Sequence, residues 1–431
     1  MTRVCVVGSG GREHALAGLF APYAEVVVTP GNPCIAGSVD TSPLDIEADL
    51  FVVGPEVPLV EGLADDLRSR GRLVFGPGRQ GARLEGSKAW MKEVLVEAGV
   101  PTAGHRVFDA SELGAALEHV DTMEGTIVVK TDGLAAGKGV LVTDDRAEAR
   151  ADVTAKLSGT SFGAAGRRVV IEEGLSGPEV SLFALVSGTE CAAVPTLAQD
   201  HKRLLTADRG PNTGGMGAVC PAPGTTPELI ETMMDVAVRP TVEVLARRGI
   251  EYRGVLFGGF MLTAEGPRLL EYNIRFGDPE AQVVLPRWQG DPVPTFMAVA
   301  RGEAFDPPEL DDRTMVTIVC AAEGYPYSPR RGDLITGLDE VRAMEGVSVF
   351  CAGVGSDSAG RPVTSGGRVL SVTAAGPDVS AARSRALAAV SRIHFAGMQY
   401  REDIGTTGPS PDAGDRRSSD TGSRGRTGEQ T

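Results

Sequence analysis

The segment RLLEYNIRFGDPE sets Glu271 and Asn273 two residues apart on what reads as a strand, so both side chains leave one face of it. A carboxylate and an amide oxygen side by side offer hard oxygen ligands, suited to a magnesium ion that bridges nucleotide phosphates. Arg275 continues that face, where a guanidinium can pair two-pronged with a carboxylate or phosphate beside the metal. The plainer reading is a polar strand face turned to water. Leu269, Leu270, Ile274 and Phe276 argue instead for a buried strand with its polar groups gathered on one side.

A second set of charges lies in KTDGLAAGKG, where Lys130 ends an apolar strand and Lys138 sits in a glycine-rich loop before the next one. Two separately placed lysines of this kind can meet the phosphates of one nucleotide. No Ser or Thr follows Lys138 and no helix starts there, so this is not a Walker A loop; a hairpin with an incidental lysine is the alternative. In VVIEEGLSGPEVS, Glu172 and Glu173 end an apolar strand, whose backbone could read an adenine edge, while Glu179 could accept from ribose hydroxyls. The stretch QDHKRLLTADRGPNTGGMGAV carries Asp200, Lys202, Arg203 and then Asn212 to Gly217, a charged loop too polar for core, of the sort that closes over reactive intermediates. His14 and His201 have no orienting neighbour in sequence and read as hydrogen-bonding groups.

Near the N-terminus, Gly8, Ser9, Gly10 and Gly11 join a strand to a helix, a turn whose amides could approach a phosphate. A dinucleotide fingerprint fails, because Glu13 stands where a glycine is wanted and the second strand runs into Thr29, Pro30 and Gly31 with no closing acid.

These groups need a scaffold of several units, since 431 residues exceed one simple core. The pattern predicts an α/β and α+β chain. Residues 1–91 read as a doubly wound parallel sheet, 92–297 as a central α+β domain and 298–404 as a small C-terminal α+β domain; 405–431 read as a disordered tail poor in apolar residues. Ser87 is the expected N-cap of the helix SKAWMKEVLVEAG, with Gly99 its stop, and Pro240 predicts a kink or two helices in PELIETMMDVAVRPTVEVLARRG. The net charge of −15 opposes nucleic acid and anionic membranes, and no basic run offsets it. Six scattered cysteines without metal-ligand spacing read as buried thiols of a reducing compartment, and no long apolar run or leader is present, which predicts a cytoplasmic protein.

Taken in order, GSGGREHAL, PGN, VVGPEVPLVEGLAD, LEGSKAWMK, KTDGLAAGKG, VIEE, QDHKR, DRGPNTGGMGA, RFGDPE, GYP and SGGRVL resemble the phosphoribosylamine–glycine ligases across Met1 to Ile404. The resemblance implies a pre-ATP-grasp domain, an ATP-grasp domain and a C-terminal domain, in a monomer that joins glycine to 5-phosphoribosylamine through a glycyl phosphate. ATP is consumed, with Mg²⁺ or Mn²⁺. It further implies that Lys88, Lys130, Lys138 and Gly139 hold ATP phosphates, Glu172, Glu173 and Leu175 the adenine, and Glu179 the ribose. Glu271 and Asn273 would carry the metal, with Arg275 on the glycine carboxylate and Lys138, Asp200 and Lys202 at the reacting junction. Gly10, Gly11, Arg12, Glu13, Asn32, Pro55, Glu56, Asn212, Thr213, Gly214, Gly215, Met216, Gly217 and Asp278 would face the substrates.

Two departures stand out. The link between the strands ending at Thr29 and starting near Leu50 is short for a crossover helix, and GVLFGGFML lacks the carboxylate that many ATP-grasp enzymes place there. The first favours a rival, a paralogue ligating another acid and amine in specialised metabolism. QDHKR and GPNTGGMG disfavour a carboxylase subunit, and intact Glu271, Asn273 and Lys138 disfavour a non-catalytic nucleotide sensor.

Overall fold

The computed structural model describes residues 1–135, 139–159, 161 and 167–406. Lys138, and the tail from residue 407 onward, lie outside the described residues.

Apolar runs bounded by glycine turns build the first unit: β1 (Arg3–Gly8), α1 (Gly11–Phe20), β2 (Glu25–Pro30), β3 (Leu50–Val53), α2 (Glu56–Glu61), α3 (Leu63–Ser69), β4 (Val74–Phe75), α4 (Arg79–Gly86) and α5 (Lys88–Ala98). Its four strands pair in parallel in the order β2-β1-β3-β4. The short β2–β3 link holds no α-helix, only a 3-10 turn at Pro43–Asp45, and the parallel order survives without one. Ser87 caps α5 by accepting from the Trp90 amide, and Gly99 ends it in the left-handed conformation. The boundary drawn at residue 91 thus falls inside a helix.

A small antiparallel sheet follows, from β5 (His105–Asp109), α6 (Leu113–Thr122), β6 (Ile127–Thr131), β7 (Val140–Thr143), α7 (Arg146–Leu157) and β8 (Arg168–Glu173), ordered β5-β8-β6-β7. It has its own core of Phe108, Ile127, Val129, Val153 and Ile171.

The rest is dominated by one sheet. Its strands come from β9 (Glu179–Ser187), β10 (Glu190–Asp200), the hairpin β11 (Arg203–Leu205) and β12 (Arg209–Asn212), β13 (Gly217–Cys220), α8 (Pro227–Met233), α9 (Arg239–Arg247), β14 (Arg253–Thr263), β15 (Gly266–Asn273) and α10 (Ala281–Val284). The chain continues through α11 (Val293–Arg301), β16 (Thr314–Ala321), α12 (Leu338–Arg342), β17 (Val347–Cys351), the hairpin β18 (Val354–Ser356) and β19 (Pro362–Thr364), β20 (Arg368–Gly376) and α13 (Val379–Val390). Eight strands form the order β15-β14-β9-β10-β13-β16-β20-β17, all antiparallel. The β13–β16 pairing therefore carries one sheet from the central region into the C-terminal region, which the sequence divided at residue 297. Between α8 and α9 the helix widens into a π turn at Met234–Val238, so Pro240 falls in the first turn of α9, where a missing N–H matters least.

The first unit is welded to the large sheet by aromatic packing. Phe75 of β4 lies 4.4 Å from Phe296 of α11 and 6.4 Å from Phe276 between ring centroids. The Gly76 amide donates to the Arg253 carbonyl at the start of β14. Among the described residues, no helix is long and apolar enough to cross a membrane.

Candidate active site

The parallel unit, the small sheet, the large sheet and the C-terminal strands converge on a cleft of about 740 Å³. Its described lining holds six acids (Glu56, Glu85, Asp200, Glu271, Asp278, Glu280) and six bases (Arg12, Lys88, Lys202, Arg275, Arg331, Arg368). The cleft is thus locally balanced within a chain of net charge −15, which removes the repulsion that the whole protein would exert on phosphates.

The pleat of β15 presents Glu271 and Asn273 together, and Tyr272 between them is buried on the other side. Opposite Glu271 in the ladder stands Gly259, so β14 indeed supplies no carboxylate. About a third of the Glu271 side chain is open to the cleft, with Lys88 Nζ 3.8 Å away. Burial alone would raise its carboxyl, but Lys88, Lys202, Lys130 and Arg275 hold it down at about 2, a permanent anion. Lys88 reaches the cleft because α5 is anchored at its first turn: Asp132, in the loop after β6, accepts from Ser87 Oγ (2.9 Å) and from the Ala89 amide (3.1 Å).

Arg275 is placed differently from expectation. Beyond the end of β15 it already donates to Glu85 (2.8 Å), Glu56 (3.3 Å) and Asn273 Oδ1 (3.2 Å). Glu85 in turn accepts from the Ile274 amide (2.9 Å). Arg275 is therefore the centre of a network joining α2, α4 and β15, and its charge is kept by Glu85 and Glu56 despite burial.

The Gly8–Gly11 turn offers no empty anion nest. Glu13 folds back beneath it, accepting from the Gly10 amide (2.6 Å) and pairing with Arg12 (2.6 Å). A Cβ on Gly8, which has φ +129°, would meet the Glu13 side chain at 2.5 Å, and one on Gly54 would strike it as well. Glu13 thus takes up the Gly10 amide that a bound anion would otherwise use.

Lys130 and Glu172 are also removed from open solvent. They lie diagonally on neighbouring strands β6 and β8, and Glu172 is paired with both Lys130 (2.8 Å) and Lys92 of α5 (3.1 Å), all three nearly inaccessible. Lys130 also donates to the Leu270 carbonyl (3.3 Å). Glu173 points outward, accepting from the Gly104 amide (2.8 Å) and facing Arg268. Glu179 is paired with Lys202.

The stretch from His201 to Gly217 is not wholly a polar loop. It contains the β11–β12 hairpin, and Met216 is fully buried, its amide bonded to the His201 carbonyl (2.8 Å). Gly214 faces the C-terminal region, where its amide donates to the Tyr325 hydroxyl (2.9 Å) and its carbonyl accepts from Arg368. Arg368 also pairs with Asp278 (3.2 Å). His201 accepts from the Gly405 amide (3.1 Å) and His14 from the Cys351 amide (2.9 Å), hydrogen-bonding roles as expected.

Of the residues singled out from sequence, Arg12, Pro55, Glu56, Lys88, Gly139, Asp200, Lys202, Asn212, Thr213, Gly214, Glu271, Asn273, Arg275 and Asp278 line this cleft. Gly10, Gly11, Glu13, Asn32, Lys130, Glu172, Glu173, Leu175, Glu179, Gly215, Met216 and Gly217 are not among its lining residues. Glu85, Glu280, Tyr325, Arg331 and Arg368 line it unforeseen. Tyr325 and Arg368 stand in the GYP and SGGRVL segments, whose chemistry is invisible until β16 and β20 bring them to the hairpin.

Asp200 is the under-satisfied member. It is half-buried near Glu280, and its enclosed Oδ1 has no hydrogen-bond partner among the described residues. Gly215, with φ +110°, leaves the space this oxygen needs, since a Cβ there would lie 2.7 Å from it. Burial first, then the Glu280 charge, pushes the Asp200 carboxyl well above the ordinary range; Glu280 moves the same way. The folded protein thus holds a proton that the unfolded chain has released, and stability falls as pH rises through the window above the ordinary carboxylate value. Asp200→Asn is expected to stabilise the ligand-free protein at neutral pH by roughly 1 to 2 kcal/mol, the scale of relieving an unsatisfied buried group. Thermal melts between pH 5 and 8 check this, and a lower melting temperature for the variant at pH 7 would contradict it.

Three family models match in succession: the phosphoribosylglycinamide synthetase N domain over residues 2–85, its ATP-grasp (A) domain over 86–281 and its C domain over 315–407. A phosphoribosylamine–glycine ligase of Mesorhizobium japonicum is 45% identical over 419 residues, covering 93% of this chain and 97% of its own. One from Phenylobacterium zucineum is 46% identical over 420 residues, covering 93% and 98%. The crystal structure of phosphoribosylamine–glycine ligase from Thermotoga maritima superposes with a TM-score of 0.80 at 35% identity, covering 93% of this chain and all of that one.

Proposed function

The chain belongs to the phosphoribosylglycinamide synthetase family, and on that premise we propose that its cleft ligates glycine to 5-phosphoribosylamine at the expense of ATP, giving glycinamide ribonucleotide, ADP and phosphate. The observation that carries this reading is the meeting of all three family regions at one charge-balanced cleft, with Glu271 and Asn273 on a single strand face.

The terminal phosphoryl group of ATP passes to the glycine carboxylate, and the amine then attacks the acyl phosphate. No side chain serves as covalent nucleophile, because positioning and charge neutralisation suffice for phosphoryl transfer. Lys88, with Lys138 of the glycine loop, meets the phosphates. Backbone groups of Glu172 to Leu175 meet the adenine, and Glu179 shares Lys202 with the ribose hydroxyls.

The donor set suits magnesium or manganese: one permanent carboxylate, one amide oxygen, and, among the described residues, no cluster of three or more His, Cys, Asp or Glu that could form a closed protein cage. Bound with the nucleotide there, such an ion supplies neutralisation of charge on the phosphoryl oxygens. Arg275 holds Asn273 and Glu56 in register and turns an edge to the glycine carboxylate. Asp200, facing Glu280, stands with Lys202 at the junction where the amine meets the acyl phosphate.

The ribosyl phosphate needs a cation, and the glycine turn beside Arg12 is already neutralised by Glu13. Arg331 lines the cleft from the C-terminal region and has no hydrogen bond or ion pair among the described residues. We assign it the phosphate. Arg331→Ala is expected to raise the KM for phosphoribosylamine about 10- to 100-fold, the loss of one charge-assisted pair, with the KM for glycine nearly unchanged.

The deciding assay is ADP release with ATP, Mg²⁺ and glycine, with and without phosphoribosylamine generated in situ, and the product identified by mass. Glycinamide ribonucleotide formed only in the complete mixture is the expected result. ATP turnover without that product overturns the substrate assignment.

A further inference from the structure

Two thiols meet where the turn after β2 abuts the end of β17. Asn32 ties these segments together: its side-chain amide donates to the carbonyls of Ser9 (2.9 Å) and Cys351 (3.2 Å), and its Oδ1 accepts from the Cys34 amide (2.9 Å). Arg342 of α12 completes the enclosure, donating to the Cys34 carbonyl (3.5 Å) with the same nitrogen 3.7 Å from Cys351 Sγ. Arg342 thus spans the two cysteines, and Cys34 packs on the apolar cluster that contains Cys351.

The two differ in exposure. Cys351 is buried, whereas Cys34 is half-buried and open to small reagents. The neighbouring Cys351 thiol, opposed by burial and aided by Arg342, lowers the Cys34 thiol and so favours its thiolate. None of the other four cysteines shares this setting: Cys5, Cys220 and Cys320 are buried, and half-buried Cys191 is raised by burial.

We propose that Cys34 and Cys351 are a hydroperoxide-oxidisable pair that closes to a disulfide linking the N-terminal parallel unit to the C-terminal strands. The Cys34 thiolate attacks a peroxide oxygen, so the O–O bond breaks, an S–O bond forms and hydroxide leaves. Sulfur is oxidised by two electrons and the peroxide is reduced. Cys351 sulfur then attacks the Cys34 sulfenic acid, the S–S bond forms and the S–O bond breaks; the Cys351 proton joins the departing hydroxide as water. In sum, two thiols and one hydrogen peroxide give one disulfide and two waters. The closed bond fastens the Asn32 turn, and with it the Ser9 carbonyl, to β17.

The test does not depend on the ligase reading, because it is scored by mass. The full-length protein is treated with stoichiometric hydrogen peroxide, unfolded in N-ethylmaleimide and digested without reductant. Expected is a peptide pair joining Cys34 to Cys351, lighter by two hydrogens than the separate peptides, lost on dithiothreitol treatment and absent from Cys34→Ser, with Cys191 still alkylated. Cys351→Ser should strand Cys34 as a sulfenic acid that dimedone captures. Recovery of both cysteines as alkylated thiols, or conversion of Cys34 to sulfinic acid with Cys351 untouched, overturns the proposal. Cys34→Ser lies on a half-exposed turn, so this arm holds even if Cys351→Ser fails to fold.

Discussion

Glu172→Ala is expected to cost about 3 to 5 kcal/mol of folding stability, the scale for removing one partner from a buried ion cluster. Among the described residues Glu172 is the acid ion-paired with both Lys92 and Lys130, at 3.1 and 2.8 Å, with all three side chains 7% exposed or less. Without it, two ammonium groups face each other in the junction of α5, β6 and β8. Thr102 Oγ1, 2.7 Å from Lys92, and the Leu270 carbonyl would remain as partners, too few to replace an anion. Urea denaturation measures the effect. A triple change of Lys92→Met, Glu172→Leu and Lys130→Met should recover most of the loss, because it removes charge and desolvation penalty together. If Glu172→Ala alone proves neutral, the cluster is solvated in the working protein.

The same cluster shapes the pH response. Burial would raise the Glu172 carboxyl, but Lys130 and Lys92 lower it, so its stabilisation is present above the ordinary carboxylate range and lost as pH falls through its depressed value. Lys92 is lowered by burial from 10.5 to about 8, with Glu172 opposing. Between those values the folded protein has shed a proton that the unfolded chain keeps, so this lysine's contribution improves as pH rises through that window.

Such a junction was not legible in the sequence, and the reason is separation along the chain. Glu271 and Asn273 could be placed because a two-residue spacing on a strand determines a face. Ser87 and Gly99 could be placed because capping is local. The commitments of Arg275 could not: Glu85 and Glu56 lie 190 and 219 residues away. The antiparallel pairing of β13 with β16, which carries the large sheet across the expected domain boundary, is non-local in the same way. Met216 was misjudged because its neighbours are polar, although one apolar side chain suffices to anchor a hairpin end in the core. Cys34 looked like one more buried thiol, since nothing near it in sequence announces Cys351 or Arg342.

Glu271→Gln separates metal chemistry from architecture at the same cleft. The amide keeps the carboxylate's shape; among the described residues the ion pair lost is that with Lys88 at 3.8 Å, and the longer-range attractions of Lys202, Lys130 and Arg275 go with it, so stability should fall by only about 1 kcal/mol. Function should not survive so well. Held at about 2, the wild-type carboxyl is charged across any working pH, and it is the one fixed anion of the proposed Glu271–Asn273 ligand pair. Replacing it lowers the attraction for a divalent cation while leaving Lys88, Lys202 and Arg275 to repel it. Turnover at limiting Mg²⁺ is therefore expected to fall on the order of a hundredfold, the scale for one preorganised electrostatic group, with partial recovery as Mg²⁺ or Mn²⁺ is raised. Asn273→Ala should give a smaller loss, since it removes a neutral ligand, but also frees the Arg275 edge that Asn273 Oδ1 now accepts from. Titrating metal against ADP release at fixed ATP distinguishes the two variants. An unchanged metal requirement in Glu271→Gln would move the ligand role to Asp200 and Glu280, two facing acids of the cleft whose raised carboxyls a bound cation would relieve.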